Sequence, residues 1–265
     1  MTWSAHGSFA GGPMGHTAEY DSLAEEYQQS KLIPFRLELE HYSLFEQLGE
    51  LRGKRVLDLA CGEGFYSRQM KRRGAATVHG VDVSPAMIEL AQESERHEPL
   101  GCTYAVGDVA GLERLGDFDR VVGCYLLNQA RTREQLLDFC RAIHRNLAPG
   151  GRFVGVADNP RGDPKHYAHY RPYGLTKQVS SPRTEGSLIT LTFFNPDGTS
   201  FQLTQTYLSP ESYEWAFREA GFSSFQWVPV RARPHQDPET AGFWRRFVEM
   251  EPLVLVEARS DGEGV

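Results

Sequence analysis

The stretch "VLDLACGEGF", residues 56–65, constrains this chain more than any other. An apolar run that carries an aspartate, breaks at Gly62 and Gly64 and continues into "FYSRQMKRR" reads as a strand, a tight turn and a helix. The same pattern then recurs. "ATVHGVDV" is a strand, and "SPAMIELAQESER" a helix with Ser84 at its N-cap and Pro85 at its first position. "CTYAVGDV" and "DRVVGCYLL" are strands. "REQLLDFCRAIHRNL" is a helix with Leu136, Leu137, Cys140, Ile143 and Leu147 on one face and Thr132 and Gln135 spaced as a capping box. "APGG" turns into the strand "RFVGV". Five strands alternating with helices predict a parallel sheet covered by helices on both faces.

The flanks read differently. Residues 1–16, rich in glycine and small polar residues, have no period that could bury a face and are expected to form a tail. "TAEYDSLAEEYQQSKLI" predicts a helix stopped or kinked at Pro34, with Leu37, His41, Leu44, Phe45 and Leu48 at helical spacing beyond it. Residues 17–53 would thus form a helical lid, and residues 54–265 the main domain. Within that domain, residues 159–208 look like a cap inserted over the sheet edge. Its "SLITLTFF" and "SFQLTQTYL", joined by "NPDGT", predict a β-hairpin. A helix, "SPESYEWAFREA", a strand, "SSFQWVPV", a helix, "TAGFWRRFVEM", and a last strand, "LVLVEA", follow and can extend the same sheet.

Composition narrows the partners. Against 28 Lys and Arg stand 35 Asp and Glu, a net charge of −7, which offers no long-range attraction to nucleic acid or anionic lipid. The four cysteines, Cys61, Cys102, Cys124 and Cys140, lack metal-ligand spacing and sit in apolar segments, so reduced packing residues are expected and no metal. With no long apolar span and no charged-then-apolar leader, a cytoplasmic protein is the expectation. The oligomeric state, monomer or dimer, is left open.

An open parallel sheet binds ligands at the carboxyl ends of its strands. A dinucleotide fingerprint would place a third glycine where Ser67 stands, and a P-loop would need a lysine and a hydroxyl residue that are absent. Glu63, between the glycines, would also repel a pyrophosphate. What remains is a glycine pair, Asp58 before it, Asp82 at the end of the second strand and Asp108 near the end of the third. Asp82 can accept two hydrogen bonds from a ribose diol, and Asp108 one from an exocyclic adenine amine. Such a set suits a nucleoside without phosphates.

These motifs together resemble the class I S-adenosylmethionine-dependent methyltransferases. "VLDLACGEGF" is similar to the family's glycine loop, "GVDVSPAMIELA" to its acidic ribose motif, "GDV" to its adenine-contacting turn, "FDRVVGCYLLNQ" to its fourth strand and "LAPGGRFV" to the entry of its fifth. The resemblance runs closely through residues 20–156 and more loosely beyond. It implies a Rossmann-like sheet of seven strands with the last antiparallel, and S-adenosyl-L-methionine as cofactor. "YDSLAEEYQQSKLIPFRLELE" and "RPYGLTK" are further similar to the toxoflavin synthase-like group, which implies a nitrogen-bearing heteroaromatic acceptor and a place in natural-product biosynthesis.

By this resemblance Ala60 and Gly62 pass under the methionine portion of the cofactor with Asp58 nearby. Asp82 takes the ribose hydroxyls, Val83 beside it belongs to the cofactor site, Met87 lies against the adenine, and Asp108 with the Val109 amide reads its edge. Met87 reads equally well as a core residue. Tyr20 and Tyr27, seven apart on one helix face, would close over the methionine end, and Arg36 would pair with its carboxylate. Tyr125 and Asn128 would face the transferring methyl, Asn128 orienting the acceptor. In the cap, His166 and His169 are candidate general bases, because imidazole titrates near neutrality, and packing or exposed histidines are the alternative. Tyr167, Tyr170, Tyr173, Phe193 and Phe194 suit a flat apolar substrate. The expected reaction is N- or O-methylation of a small aromatic metabolite. The rival readings are a non-catalytic cofactor-binding sensor and a nicotinamide-dependent oxidoreductase.

Overall fold

The computed structural model describes residues 30–261. Residues 1–29, and with them Tyr20, Tyr27 and the expected tail, lie outside the described residues.

A turn closed by the Ile33 amide on the Ser30 carbonyl precedes Pro34, where the chain becomes helical again. The helix is not regular. It is π-helical over Arg36–His41 and becomes α-helix α1 over Tyr42–Leu48. The wider π turn shifts the phase of the buried face. Leu39, Leu44 and Leu48 are fully buried, whereas Leu37, expected on that face, is 36% exposed. Arg36 and Glu40 are carried inward in its place.

The sheet strands are β1 (Arg55–Leu59), β2 (Thr77–Asp82), β3 (Cys102–Val106), β4 (Phe118–Cys124) and β5 (Leu147–Asp158). The helices between them are α2 (Phe65–Arg72), α3 (Pro85–His97) and α4 (Arg133–Arg145). Ser84 and Thr132 cap α3 and α4, accepting from the Met87 and Gln135 amides. Beyond the cap come α5 (Pro210–Glu219), β9 (Ser224–Pro229), α6 (Pro238–Glu249) and β10 (Leu253–Arg259). The strand order is β3-β2-β1-β4-β5-β10-β9, with β10 antiparallel to both its neighbours. This is the Rossmann-like seven-stranded sheet that the alternation and the family resemblance imply.

Side chains alternate across the sheet as its period of two demands. Val56, Val122, Val154 and Leu255 pack on one face with Leu44, Leu48 and Met70. Leu57, Val121, Phe153 and Val256 pack on the other with Leu136, Cys140, Ile143 and Phe217.

The cap holds more than the expected hairpin. A third strand, β6 (Leu175–Val179), pairs antiparallel with β7 (Leu188–Phe194), which pairs with β8 (Ser200–Thr206). "LTKQV" alternates clearly, but its single lysine disguised it. Lys177 is not on the surface: it is buried against the Asp158 carboxylate at the end of β5, and its Nζ donates to the Pro252 carbonyl at 2.8 Å. Gln205 from β8 donates to the other Asp158 oxygen at 2.6 Å. The 3₁₀ helix Pro164–Tyr173 completes the cap, with Tyr167, Tyr170 and Tyr173 on its buried side. Tyr173 stacks on Phe247 of α6 at 4.0 Å, and Tyr170 donates to the Met250 carbonyl.

Removing one partner of a buried ion pair leaves the other uncompensated. Lys177→Met should therefore lower the unfolding free energy by about 3 to 5 kcal/mol in urea titrations, and adding Asp158→Asn should restore part of the loss. A single-variant change below about 1 kcal/mol would contradict a buried pair holding the cap.

Candidate active site

The strand order reverses between β1 and β4, so the crevice of this sheet opens at the carboxyl ends of those two strands. Both ends carry a non-glycine residue in the left-handed region, Ala60 (φ 56°) after β1 and Tyr125 (φ 62°) after β4. A bulky side chain at positive φ costs free energy and is kept where the surroundings over-determine it. For Tyr125 the restraint is its amide, which donates to the Val156 carbonyl at 2.7 Å.

The loop after β1 is shaped by Gly62 (φ 56°) and Gly64 (φ 80°). A side chain at Gly64 would also meet the Tyr104 hydroxyl at 2.6 Å, so a ring from β3 closes the loop from outside. The Gly62 amide donates to Asp82 Oδ2 at 2.8 Å and the Ser84 amide to Asp82 Oδ1 at 3.0 Å. Each oxygen of Asp82 thereby meets a backbone donor, the Val83 amide also bears on the carboxylate, and its four lone-pair sites leave capacity for a hydroxyl. Val83 and Val106, 37% and 53% exposed at the ends of β2 and β3, present apolar surface beside it. Glycine loop, carboxylate and apolar ledge together match the chemistry of an adenosine.

Asp58 is buried below this loop and accepts from the Ser67 hydroxyl at 2.6 Å. Ser67 occupies the place of the third glycine, and this bond is what a dinucleotide fold could not make there. Glu63 argues differently than its sequence position suggests. It is buried and paired with Arg68 (3.4 Å), so its charge is met inside the protein and it is Ser67 that speaks against a pyrophosphate. Burial pushes the Asp58 carboxyl up to about 7, opposed by the Ser67 hydroxyl and the Lys31 ammonium and reinforced by Asp82 and Glu63. Burial likewise raises Asp82, against its backbone donors. The thiols of Cys61 and Cys124 are pushed well up by burial, which removes them as nucleophiles.

Arg36 is buried, 3.2 Å from the Glu40 carboxylate, with its guanidinium 5.4 Å from the Tyr125 ring and 5.2 Å from the Phe193 ring of the cap. Glu40, which sequence reasoning missed, is fully buried and accepts from the hydroxyls of Tyr66 and Tyr125. The i, i+4 spacing of Arg36 and Glu40 was the available signal, but it reads as an ordinary surface pair until the π turn buries it. Asn128, in the turn after β4, is buried and its Oδ1 accepts from the Asp158 amide at 3.0 Å, tying β4 to β5.

Among the other expected residues, Val109 is buried beside an exposed Asp108, whose carboxylate accepts from the Ala110 amide at 3.0 Å. Met87 is 1% exposed and packs as a core residue. The structure brings Arg36, Tyr125, Asp58, Gly62 and Asp82 to one crevice, and it does not bring the histidines there. His169 is exposed and His166 half-buried, their rings 6.3 Å apart on the flank of the 3₁₀ helix beside its buried tyrosines. Neither makes a hydrogen bond to Tyr125 or Asn128. Among the described residues no His, Cys, Asp and Glu cluster could hold a metal, and no helix is long and apolar enough to cross a membrane.

A raised carboxyl pKa means that the folded state binds more protons than the unfolded state above pH 3.8. The contribution of Asp58 to stability is thus complete below that value and is lost as pH rises through about 7. NMR titration should find Asp58 half-protonated near pH 7, Ser67→Ala should raise that midpoint, and Asp58→Asn should flatten stability between pH 4 and 7. An Asp58 midpoint near 4 would refute this account.

Residues 56–151 match the family model described as a methyltransferase domain. The chain is 31% identical to N-demethylindolmycin N-methyltransferase of Streptomyces griseus, over 79% of this chain and 78% of that enzyme. It is 32% identical to demethylmenaquinone methyltransferase of Tropheryma whipplei, over 52% and 59% of the two chains. Its fold is similar to an S-adenosylmethionine-dependent methyltransferase from Clostridium acetobutylicum, with a TM-score of 0.64 and 19% identity, covering 92% of this chain and 99% of that one. A nicotinamide oxidoreductase is thereby set aside, and the glycine loop without a phosphate cradle takes its meaning: this chain belongs to the S-adenosylmethionine-dependent methyltransferases.

Proposed function

We propose that this enzyme methylates a nitrogen or hydroxyl of a small aromatic or heteroaromatic metabolite in natural-product biosynthesis. The observation that carries the reading is the position of Arg36 between the Tyr125 and Phe193 rings. It brings an aromatic wall of the cap within reach of the β4 terminus, beside the crevice. Phe193 is itself stacked on Phe201 at 5.1 Å, so that wall is rigid and apolar. The indolmycin-related N-methyltransferase and the toxoflavin synthase-like motifs support an acceptor of this class.

Bound S-adenosylmethionine supplies an activated methyl on a sulfonium. The work of the chain is then to bind, align and exclude water. Asp82 would take the ribose hydroxyls, Val83 would lie against the base with the Val109 amide and Asp108 at its edge, and Ala60 and Gly62 would pass under the amino-acid portion. Asp58 below them favours a positive charge only when it is itself ionised. Arg36 would meet the carboxylate of that portion while sharing its charge with Glu40.

The test is incubation with methyl-labelled cofactor and a set of acceptors: N-demethylindolmycin, N-methylaniline, imidazole and catechol. Label in a small aromatic product supports the reading, and binding of S-adenosylhomocysteine with no transfer to any of them counts against it. Asp82→Ala should weaken S-adenosylhomocysteine binding by about ten- to hundredfold in calorimetry. Affinity should also rise as pH increases through about 7, where Asp58 ionises, and lose that dependence in Asp58→Asn.

A further inference from the structure

Glu40 is buried without solvent, on a π turn, and three donors converge on it from three parts of the chain. Arg36 comes from its own helix, Tyr66 from the first turn of α2 directly after the glycine loop, and Tyr125 from the end of β4. π turns are uncommon and concentrate at functional sites. Here the turn carries both Arg36 and Glu40 to the inner side.

A phenol has one proton to give. Tyr125 gives its proton to Glu40, so toward any other group its oxygen acts as an acceptor. Tyr66 is 4% exposed and closed off, whereas Tyr125 is only half-buried and stands at the crevice. A carboxylate behind the phenol strengthens that acceptor, because charge-assisted hydrogen bonds polarise the groups they join. The arrangement selects for a partner that carries a hydrogen, such as an N–H.

We propose that Tyr125, backed by Glu40, receives the proton released when an acceptor nitrogen is methylated, an inference that rests on the aromatic-acceptor reading above. The nitrogen lone pair forms the N–C bond while the C–S bond breaks and leaves its electron pair on sulfur. The nitrogen, now cationic, passes its proton to the Tyr125 oxygen, and the phenolic proton moves on to the Glu40 carboxylate. The phenol is regenerated in one step, Glu40 ends as a neutral acid, and its proton returns by the same path through the Tyr125 hydroxyl to water that enters the crevice when the product leaves. Tyr125 is the catalytic residue and Glu40 the positioning residue behind it. Among the described residues, the other titratable groups facing the pair are Arg36, His41, Tyr66, Cys124 and, above the Tyr66 ring, Lys31.

Glu40→Gln keeps the volume but turns an amide N–H₂ toward one hydroxyl and removes the charge. With the best amine of the set above, kcat at pH 7 should fall by about a hundredfold, well beyond any change in KM for the cofactor that follows from releasing Arg36. Part of the loss should return at higher pH, and Glu40→Asp should restore part of it. Tyr125→Phe should cost as much as Glu40→Gln, and the double variant no more than either. A second readout needs no turnover: in the S-adenosylhomocysteine complex, ¹³Cζ-tyrosine NMR should show the Tyr125 signal moving toward free phenol in Glu40→Gln.

A kcat within about threefold of the parent, or additive losses in the double variant, overturns the proposal. So does an unmoved Tyr125 signal, or a kcat loss matched by lost S-adenosylhomocysteine affinity, which would mark Glu40 as structural only. A parent protein that binds S-adenosylhomocysteine yet methylates none of the acceptors defeats the aromatic-acceptor reading instead, and the NMR signal still decides the Tyr125–Glu40 bond.

Discussion

Charge can be buried in a protein only where donors meet it, and the carboxyl edge of this sheet is built around that requirement. Asp58 is met by Ser67, Asp82 by the amides of Gly62 and Ser84, Glu40 by two tyrosines and Arg36, and Asp158 by Lys177 and Gln205. Most of these pairings join separate elements: Asp82 to the glycine loop, Glu40 to Tyr66 and Tyr125, and Asp158 to Lys177 and Gln205. Together they fix where the glycine loop, the N-terminal helix and the cap stand relative to the strand ends. The apolar packing on the two sheet faces stabilises the layers, but it leaves the arrangement above the strand ends to these polar contacts.

The cap and the N-terminal helix meet at Arg36, whose guanidinium lies 5.2 Å from the Phe193 ring. Its charge is shared between Glu40 and the faces of Tyr125 and Phe193, and guanidinium is suited to both kinds of contact. The N-terminal helix, the end of β4 and the cap are thereby joined through the Arg36 side chain. A ligand that draws Arg36 toward itself changes what Tyr125 and Phe193 experience.

The sheet was legible because its strands carry a period of two and its helices carry caps, both local properties of the chain. The positions of Asp82, Gly62 and Asp58 in the fold were legible for a related reason: they lie in or directly after the ends of strands. What local reading could not find depended on phase or on distant partners. The π turn moved Leu37 outward and Glu40 inward, and no helical periodicity of 3.6 anticipates that. Lys177 disguised a strand because its partner lies nineteen residues away at the end of β5. The histidines were singled out by imidazole chemistry and their three-residue spacing, and the same spacing in the tyrosines beside them is the one that faces the protein.

That repeat makes the cap intolerant of length changes. With three residues per turn, every third side chain stands directly above the last, so each residue advances the helix by a third of a revolution. Gain of a single residue before Tyr167 would turn Tyr170 and Tyr173 off Phe247 and bring the stripe with the two imidazoles into the places of the tyrosines, and loss of one would bring Ala168 and Arg171 there. Natural variation in this segment should consist of substitutions, with insertions and deletions displaced to the loops on either side.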